Sequence, residues 1–187
     1  MSKESTPIQL HDREHVLAAD PDIIWRYGKR PDYTSTNRTL NRQSSKKHEK
    51  GTLEYIVQNL VRTFEMEATY KLDPKQWHSI DADGPEYTAE DIVENGTYNL
   101  FLGESDVYSS NAEDYESSAN IFKEAFTTGF VWEVIEVYSG PPKAVFKWRH
   151  WGAHEGKFRD FNASNQLVEV FGITIAEVNE ALKLTYV

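Results

Sequence analysis

The chain contains no cysteine. That absence removes a disulfide scaffold, thiolate metal sites, iron–sulfur clusters and a cysteine nucleophile. It also lacks an excess of positive charge: across 187 residues, 30 Asp and Glu outweigh 20 Lys and Arg, for a net charge of −10. A nucleic-acid-binding domain needs a basic face to displace counterions from phosphates, so nucleic acid is not an expected partner, and neither is an anionic lipid surface. No apolar run approaches the ~20 residues that span a bilayer. Met1-Ser2-Lys3-Glu4-Ser5 leads into no apolar signal-peptide stretch. The expectation is a soluble, cytoplasmic protein. A Gly-rich phosphate loop, an HExxH motif and a nucleophile elbow are missing as well, which argues against nucleotide-dependent enzymes, zinc proteases and α/β-hydrolases. The site to expect is free of cofactor and metal. There is no internal repeat.

What the chain has in quantity is aromatic residues: five Trp, ten Tyr and nine Phe, 13% of the total. That exceeds what a core of this size needs. Aromatics also line apolar ligand sites, where Tyr and Trp offer a flat face and one polar handle.

Residues 1–50 read as a polar, irregular arm. Its basic cluster, Arg38, Arg42, Lys46, Lys47 and Lys50, has no interleaved aromatics and reads as a solvated loop. The island Ile23-Ile24-Trp25 with Tyr27 is expected to dock the arm on the body, starting with a short helix at Asp20-Pro21. The body, 51–187, opens with a helix over about 52–72, where Leu53, Ile56, Val57, Leu60, Val61, Phe64 and Ala68 recur at helical spacing. Asp73-Pro74 ends it and starts a short turn. A small hairpin follows: a strand near His78–Ala82, a turn at Asp83-Gly84-Pro85, a strand near Tyr87. Thr88 starts a second helix to Leu102, and Tyr115–Phe126 reads as a third. Strands are predicted over Phe130–Tyr138, Lys143–Trp151, Gln166–Ala176 and Leu182–Val187, separated by turns such as Ser139-Gly140-Pro141-Pro142. Helices first and consecutive strands later predict an α+β domain with an antiparallel sheet.

The period of two assigns faces. Ala144, Phe146, Trp148 and His150 share one face, read as inward. Val145, Lys147, Arg149 and Trp151 share the other, read as wetter. In the strand before it, either Val131, Glu133, Ile135 and Val137 point inward or Trp132, Val134, Glu136 and Tyr138 do. Three β-branched residues favour the first set, which places Glu133 in an apolar setting. His150 beside Trp148 is then a candidate acid/base, because an ordinary imidazole titrates near neutral pH. An inward Glu133, its pKa raised by desolvation, is a candidate to move protons beside a carbon acid, with Tyr98, Tyr138 or Tyr186 as the hydrogen-bond donor. Phe146 and Trp148 are candidate ligand walls. His78 at the hairpin base, Glu65 near the helix end and Trp25 as a lid complete the set.

The order helix, short hairpin, helices, four-strand sheet resembles the cone-shaped α+β fold of the nuclear transport factor 2 superfamily. Ala153-His154-Glu155-Gly156-Lys157-Phe158, followed by Asn162-Ala163-Ser164-Asn165 and a strand, looks like its SnoaL-like polyketide-cyclase branch. Within that branch the chain is most similar to the plant and fungal pathogen-related protein family. The segments that carry this are Trp25-Arg26-Tyr27-Gly28, Gly51-Thr52-Leu53-Glu54, Val57-Gln58-Asn59, Glu65-Met66-Glu67, Trp132-Glu133-Val134, Val137-Tyr138-Ser139-Gly140-Pro141-Pro142 and Phe146-Lys147-Trp148-Arg149-His150-Trp151-Gly152. The resemblance implies that His154 stands where the cyclases have their histidine. The cyclases also use an Asp in the C-terminal half, whereas no Asp follows Asp160 here. Carboxylate chemistry is therefore expected from Glu133, Asp81, Glu65 or Glu67.

Three readings follow. The chain holds an apolar, oxygenated small molecule of polyketide or terpenoid type and catalyses cofactor-independent cyclisation, isomerisation or dehydration. Alternatively it is a non-catalytic, stress-associated ligand binder. In a third reading it uses the outer sheet face, with Lys147, Arg149 and an exposed Trp151, to form a homodimer or hold a partner.

Overall fold

A computed structural model of the chain describes residues 6–19, 21–81 and 88–187. The N-terminal arm is not irregular. It holds two helices, α1 (Arg13–Ala19) and α2 (Thr34–Gln43). The sequence Thr-Ser-Thr-Asn-Arg-Thr-Leu-Asn-Arg-Gln of α2 has one buried residue, Leu40, so it carries no apolar period to read. The expected helix after position 20 does not form. Asp20 lies outside the described residues, Pro21 and Asp22 make a turn, and Trp25 forms an isolated antiparallel bridge with Lys71. The five residues of the basic cluster, Arg38, Arg42, Lys46, Lys47 and Lys50, are exposed, as a solvated surface requires.

Three longer helices follow: α3 (Leu53–Tyr70), α4 (Ala89–Leu102) and α5 (Tyr115–Ala125). Each starts on a side-chain cap that satisfies an otherwise orphaned N–H. Thr52 accepts from Tyr55 N, Thr88 and Asp91 form a capping box, and so do Asp114 and Ser117. Gly96 interrupts α4 with φ 80°. A Cβ there would also lie 3.0 Å from the Tyr115 ring, so this kink sits where α5 packs closest. The Asp73 carboxylate caps the short turn Pro74–Gln76. Of the expected hairpin, residues 82–87 lie outside the described residues. Its first limb does pair, but with the last strand: Leu184 N donates to Ser79 O at 2.8 Å and Asp81 N to Leu184 O at 2.9 Å.

Four strands, β1 (Val131–Ser139), β2 (Lys143–Ala153), β3 (Leu167–Val178) and β4 (Leu184–Tyr186), make one antiparallel sheet in that order. The fold is thus α+β, with the strands within a few residues of their expected bounds. The core lies between the sheet and the helices, where Val57, Ala68 and Ile92 meet Val134, Phe146, Ala176 and Leu184.

The faces of β1 correct both alternatives read from its alternation. Val131 pairs with Trp151 and Glu133 with Arg149, on the face turned from the helices. Trp132 pairs with His150 and Val134 with Trp148, on the helix side. The register then slips between Val134 and Glu136, so Val137 returns opposite Phe146 on the helix side. One bulge residue changes which parity is buried. The face expected to be wet is also partly covered. Leu40 of α2 packs on Val131 and Trp151, and Trp151 is 0% exposed. Trp151 is therefore no surface anchor for a partner.

Candidate functional site

The helix side of β2 presents Phe146, Trp148 and His150 as its alternation requires. Trp148 donates from Nε1 to Thr174 Oγ1 at 2.9 Å. Its indole lies across Gly172 of β3, where a Cβ would come within 2.2 Å of Cζ2. His150 stacks on Phe130 with centroids 3.8 Å apart. Phe130 stacks on Phe126 at 4.3 Å and reaches Phe122 at 6.3 Å, and Phe122 stacks on Tyr98 of α4 at 3.9 Å. A wall of rings therefore runs from the sheet to α4.

His150 has a buried Nδ1 with no hydrogen-bond partner. Burial pushes its pKa down to about 4. At neutral pH the imidazole is neutral. A neutral imidazole does not hold a proton in reserve, and it can form hydrogen bonds as donor at one nitrogen and acceptor at the other. The imidazole titrating near neutral pH that the sequence led us to expect at position 150 is therefore not found.

At the other end of the ring wall, burial raises the Tyr98 pKa, and the Glu65 charge raises it further. Its hydroxyl makes no hydrogen bond to a described residue and is not sealed from water. Glu65 is paired with Arg13 of α1 at 3.3 Å. One turn before Glu65, Arg62 shares this side of α3. Sequence reasoning passed it over, because an arginine amid a helix reads as a solvated residue. Desolvation, then the Arg13 charge, lowers its pKa to about 10.

Glu133 is buried as expected but on the opposite face, and its oxygens are occupied. It accepts from Ser45 N at 2.9 Å, Ser45 Oγ at 3.0 Å, Lys46 N at 3.3 Å and Arg149 at 2.9 Å. Arg149 also bonds Glu169 at 2.7 Å and Gln43 O at 3.2 Å, while Trp151 Nε1 donates to Gln43 Oε1 at 2.9 Å. This network fastens the end of α2 to the sheet. A carboxylate so held has no room for a substrate proton, so Glu133 is a clamp and not a base.

The other candidates scatter. His154 Nδ1 accepts from Ser164 N at 3.4 Å and lies 3.2 Å from Ser164 Oγ, within the loop that joins β2 to β3, and its Nε2 is buried without a partner. Tyr138 and Tyr186 are exposed, away from the ring wall. Trp25 packs with Val16, Tyr33 and Met66. His78 donates its backbone N–H to Glu67 at 2.8 Å. Glu67, fully buried, also takes Ser79 N at 2.9 Å and the Lys71 ammonium at 2.9 Å, a structural pair. Asn179 Nδ2 donates to Asp81 at 2.7 Å.

Comparison with known proteins bears on this arrangement. No family model matches the chain. The pathogen-related protein of barley, Hordeum vulgare, is 34% identical over 176 residues, which cover 86% of this chain and 75% of that protein. The chain belongs to the pathogen-related protein family. Among solved structures, a candidate SnoaL-like polyketide cyclase from Jannaschia sp. CCS1 covers 75% of this chain and 88% of its own, at 14% identity and a TM-score of 0.34. A candidate polyketide cyclase from Acidithiobacillus ferrooxidans covers 40% of this chain and 53% of its own, at 14% identity and a TM-score of 0.30. Superpositions this loose carry no activity across.

Two of the segments singled out in the sequence join arm, helices and sheet. Arg26 of Trp25–Gly28 donates to Val93 O at 2.6 Å and lies 3.5 Å over the Tyr115 ring. The Phe146–Gly152 segment carries both the clamp residue Arg149 and, on the opposite face, His150. No helix among the described residues is long and apolar enough to cross a membrane.

Proposed function

We propose that the chain binds an apolar, oxygenated small molecule of polyketide or terpenoid type between α3, α4 and the helix side of the sheet. There it catalyses a cofactor-independent cyclisation, isomerisation or dehydration. The observation that carries the reading is His150: a neutral imidazole with an unpartnered nitrogen, set in a wall of aromatic rings. A buried polar atom left without a partner costs stability. A substrate oxygen would fill that gap. The rings would orient the substrate and exclude water, the Tyr98 hydroxyl would donate to a developing oxyanion, and the free His150 nitrogen would bond a polar group of the substrate. The test is turnover of a panel of poly-β-ketone and terpenoid substrates by wild type and His150→Phe. Loss of turnover with ligand affinity kept supports the enzyme. Affinity without turnover in either protein supports the carrier reading instead.

A second reading concerns assembly. On the face turned from the helices, Phe171, Ile173 and Ile175 of β3 are 55%, 63% and 50% exposed. Charges of both signs, Lys143 paired with Glu177 and Arg149 with Glu169, flank them. An apolar strip with mixed charges beside it is self-complementary, which favours a homodimer through the sheet. Sedimentation of wild type as a dimer and of Ile173→Lys as a monomer is the expected result. Monomeric wild type at high protein concentration would sink it.

A further inference from the structure

Gly96 breaks α4 into two helical halves, with φ 80° and ψ 153°. Tyr98 lies two residues past the break, so the angle of the kink decides where its ring points. A glycine permits this backbone conformation without imposing it. The kink must therefore be held from outside the helix.

An unbroken α-helix pairs the carbonyl of residue 93 with the N–H of residue 97. The break falls between the two, which leaves Val93 O in the place of a helix-end carbonyl. Arg26 of the arm donates to that oxygen from Nη2 at 2.6 Å. The same guanidinium lies 3.5 Å over the Tyr115 ring of α5. Tyr115 is the side chain that Gly96 faces: a Cβ at 96 would stand 3.0 Å from its Cδ2. Its hydroxyl is fixed in turn, donating to Thr69 O of α3 at 2.7 Å. Phe122, two turns along α5 from Tyr115, carries the stack on Tyr98 at 3.9 Å. Arg26 does not move freely with the arm. Its backbone N–H donates to Tyr70 O at 2.8 Å, and Leu72 N donates to Ile24 O at 3.1 Å.

We propose that Arg26 is a positioning residue for the site. It holds both sides of the kink, the Val93 carbonyl before it and the Tyr115 ring beside it, and so fixes the Tyr98 ring on Phe122. A guanidinium suits this place because it combines a charged donor with a flat face for the ring. Lysine offers the charged donor alone.

This rests on the reading that Tyr98 lines a small-molecule site, yet its test needs no ligand. The protein is made with 13C-labelled tyrosine rings and followed by NMR, and Tyr98→Phe identifies the Tyr98 signal. Stacked on Phe122, the Tyr98 ring protons should lie upfield of those of exposed tyrosines. Arg26→Met keeps the length, removes the donor and the charge, and should abolish most of that shift. Arg26→Lys should restore much of it. Glu133→Ala loosens the arm at α2, away from Arg26, and should leave the signal in place however far it lowers the melting temperature. An unmoved Tyr98 signal in Arg26→Met would overturn the proposal, and so would a signal that moves as far in Glu133→Ala. If Arg26→Met fails to fold, the milder Arg26→Gln takes its place: a displaced signal is expected and an unmoved one overturns. A signal that responds, in a protein with neither affinity nor turnover for the substrate panel, would strike the small-molecule reading and leave the kink assignment standing. An unmoved signal beside real turnover would do the reverse.

Discussion

Acid should weaken this protein through His150 in a defined window. The imidazole titrates near 6.5 in an unfolded chain and near 4 in the folded one, held down mainly by burial. Between those values the unfolded chain binds more protons than the folded one, so stability rises with pH there and falls as pH drops. The contribution is intact above pH 6.5 and is lost by about pH 4. A difference of that size is worth about 3 kcal/mol, a large part of the stability of an ordinary domain. The perturbation that isolates it is His150→Phe, which keeps a ring against Phe130 and removes the titration. Urea unfolding of both proteins from pH 7.5 to 4, followed by circular dichroism, gives two curves. Carboxylates common to both proteins drop out of their difference. The difference should be small at pH 7 and reach about 3 kcal/mol in favour of the variant at pH 4. At pH 7 the variant should be no less stable than wild type, since it also removes the unpartnered Nδ1. Parallel curves across the window would refute the reasoning. They would mean that His150 is not buried neutral, and its place in the proposed site would go with it.

Other substitutions test the supports of the site. Glu133→Ala should cost about 3–5 kcal/mol, because it leaves buried Arg149 without one of its two carboxylates. It should also open residues 44–48 to protease, so limited digestion reads the same change. Unchanged stability and cleavage would show that the clamp is idle. Gly172→Ala should cost about 1–3 kcal/mol as overpacking, since the new Cβ has to displace the Trp148 indole. A shift in tryptophan emission should accompany it, and an unaltered spectrum would argue against that packing.

Much of the fold was legible because its signals are local. Apolar residues at helical spacing, capping threonines and β-branched runs between turns mark α3, α4, α5 and the four strands. What escaped is non-local. The arm helix α2 carries one buried residue, so nothing in its own sequence marks it as a covering element. The inward face of β1 depends on a bulge that alternation cannot show. Glu133 is buried, but on the outer face and in an ion pair, not in the inward apolar setting that alternation favoured. Its partners, Ser45 and Arg149, lie 88 and 16 residues away in the chain, and a reading by neighbours cannot supply them.

These misses share a cause, and it reaches the site. Position along β2 fixes parity, so His150 and Arg149 must point to opposite faces. Which face is wet depends on what covers it, and the arm covers the face where polar residues lie. A buried ion pair is then needed to make that cover tolerable, since neither Glu133 nor Arg149 reaches water freely. Glu133 is used up in this way, which removes one of the carboxylates that the sequence offered as a candidate base. Among the described residues of the ring wall itself, His150 Nδ1 and the Tyr98 hydroxyl make no hydrogen bond. The phenol donates a hydrogen bond, and the neutral imidazole donates from one nitrogen and accepts at the other. Neither group is a carboxylate, so these two suit hydrogen bonding to a substrate oxygen and not the removal of a proton from carbon by a carboxylate base. If catalysis occurs, it should proceed by orienting a reactive substrate whose acidic carbon has already lost its proton to solvent, and by stabilising that enolate at the Tyr98 hydroxyl. Its rate should then follow the protonation of the substrate more closely than that of any carboxylate in the chain.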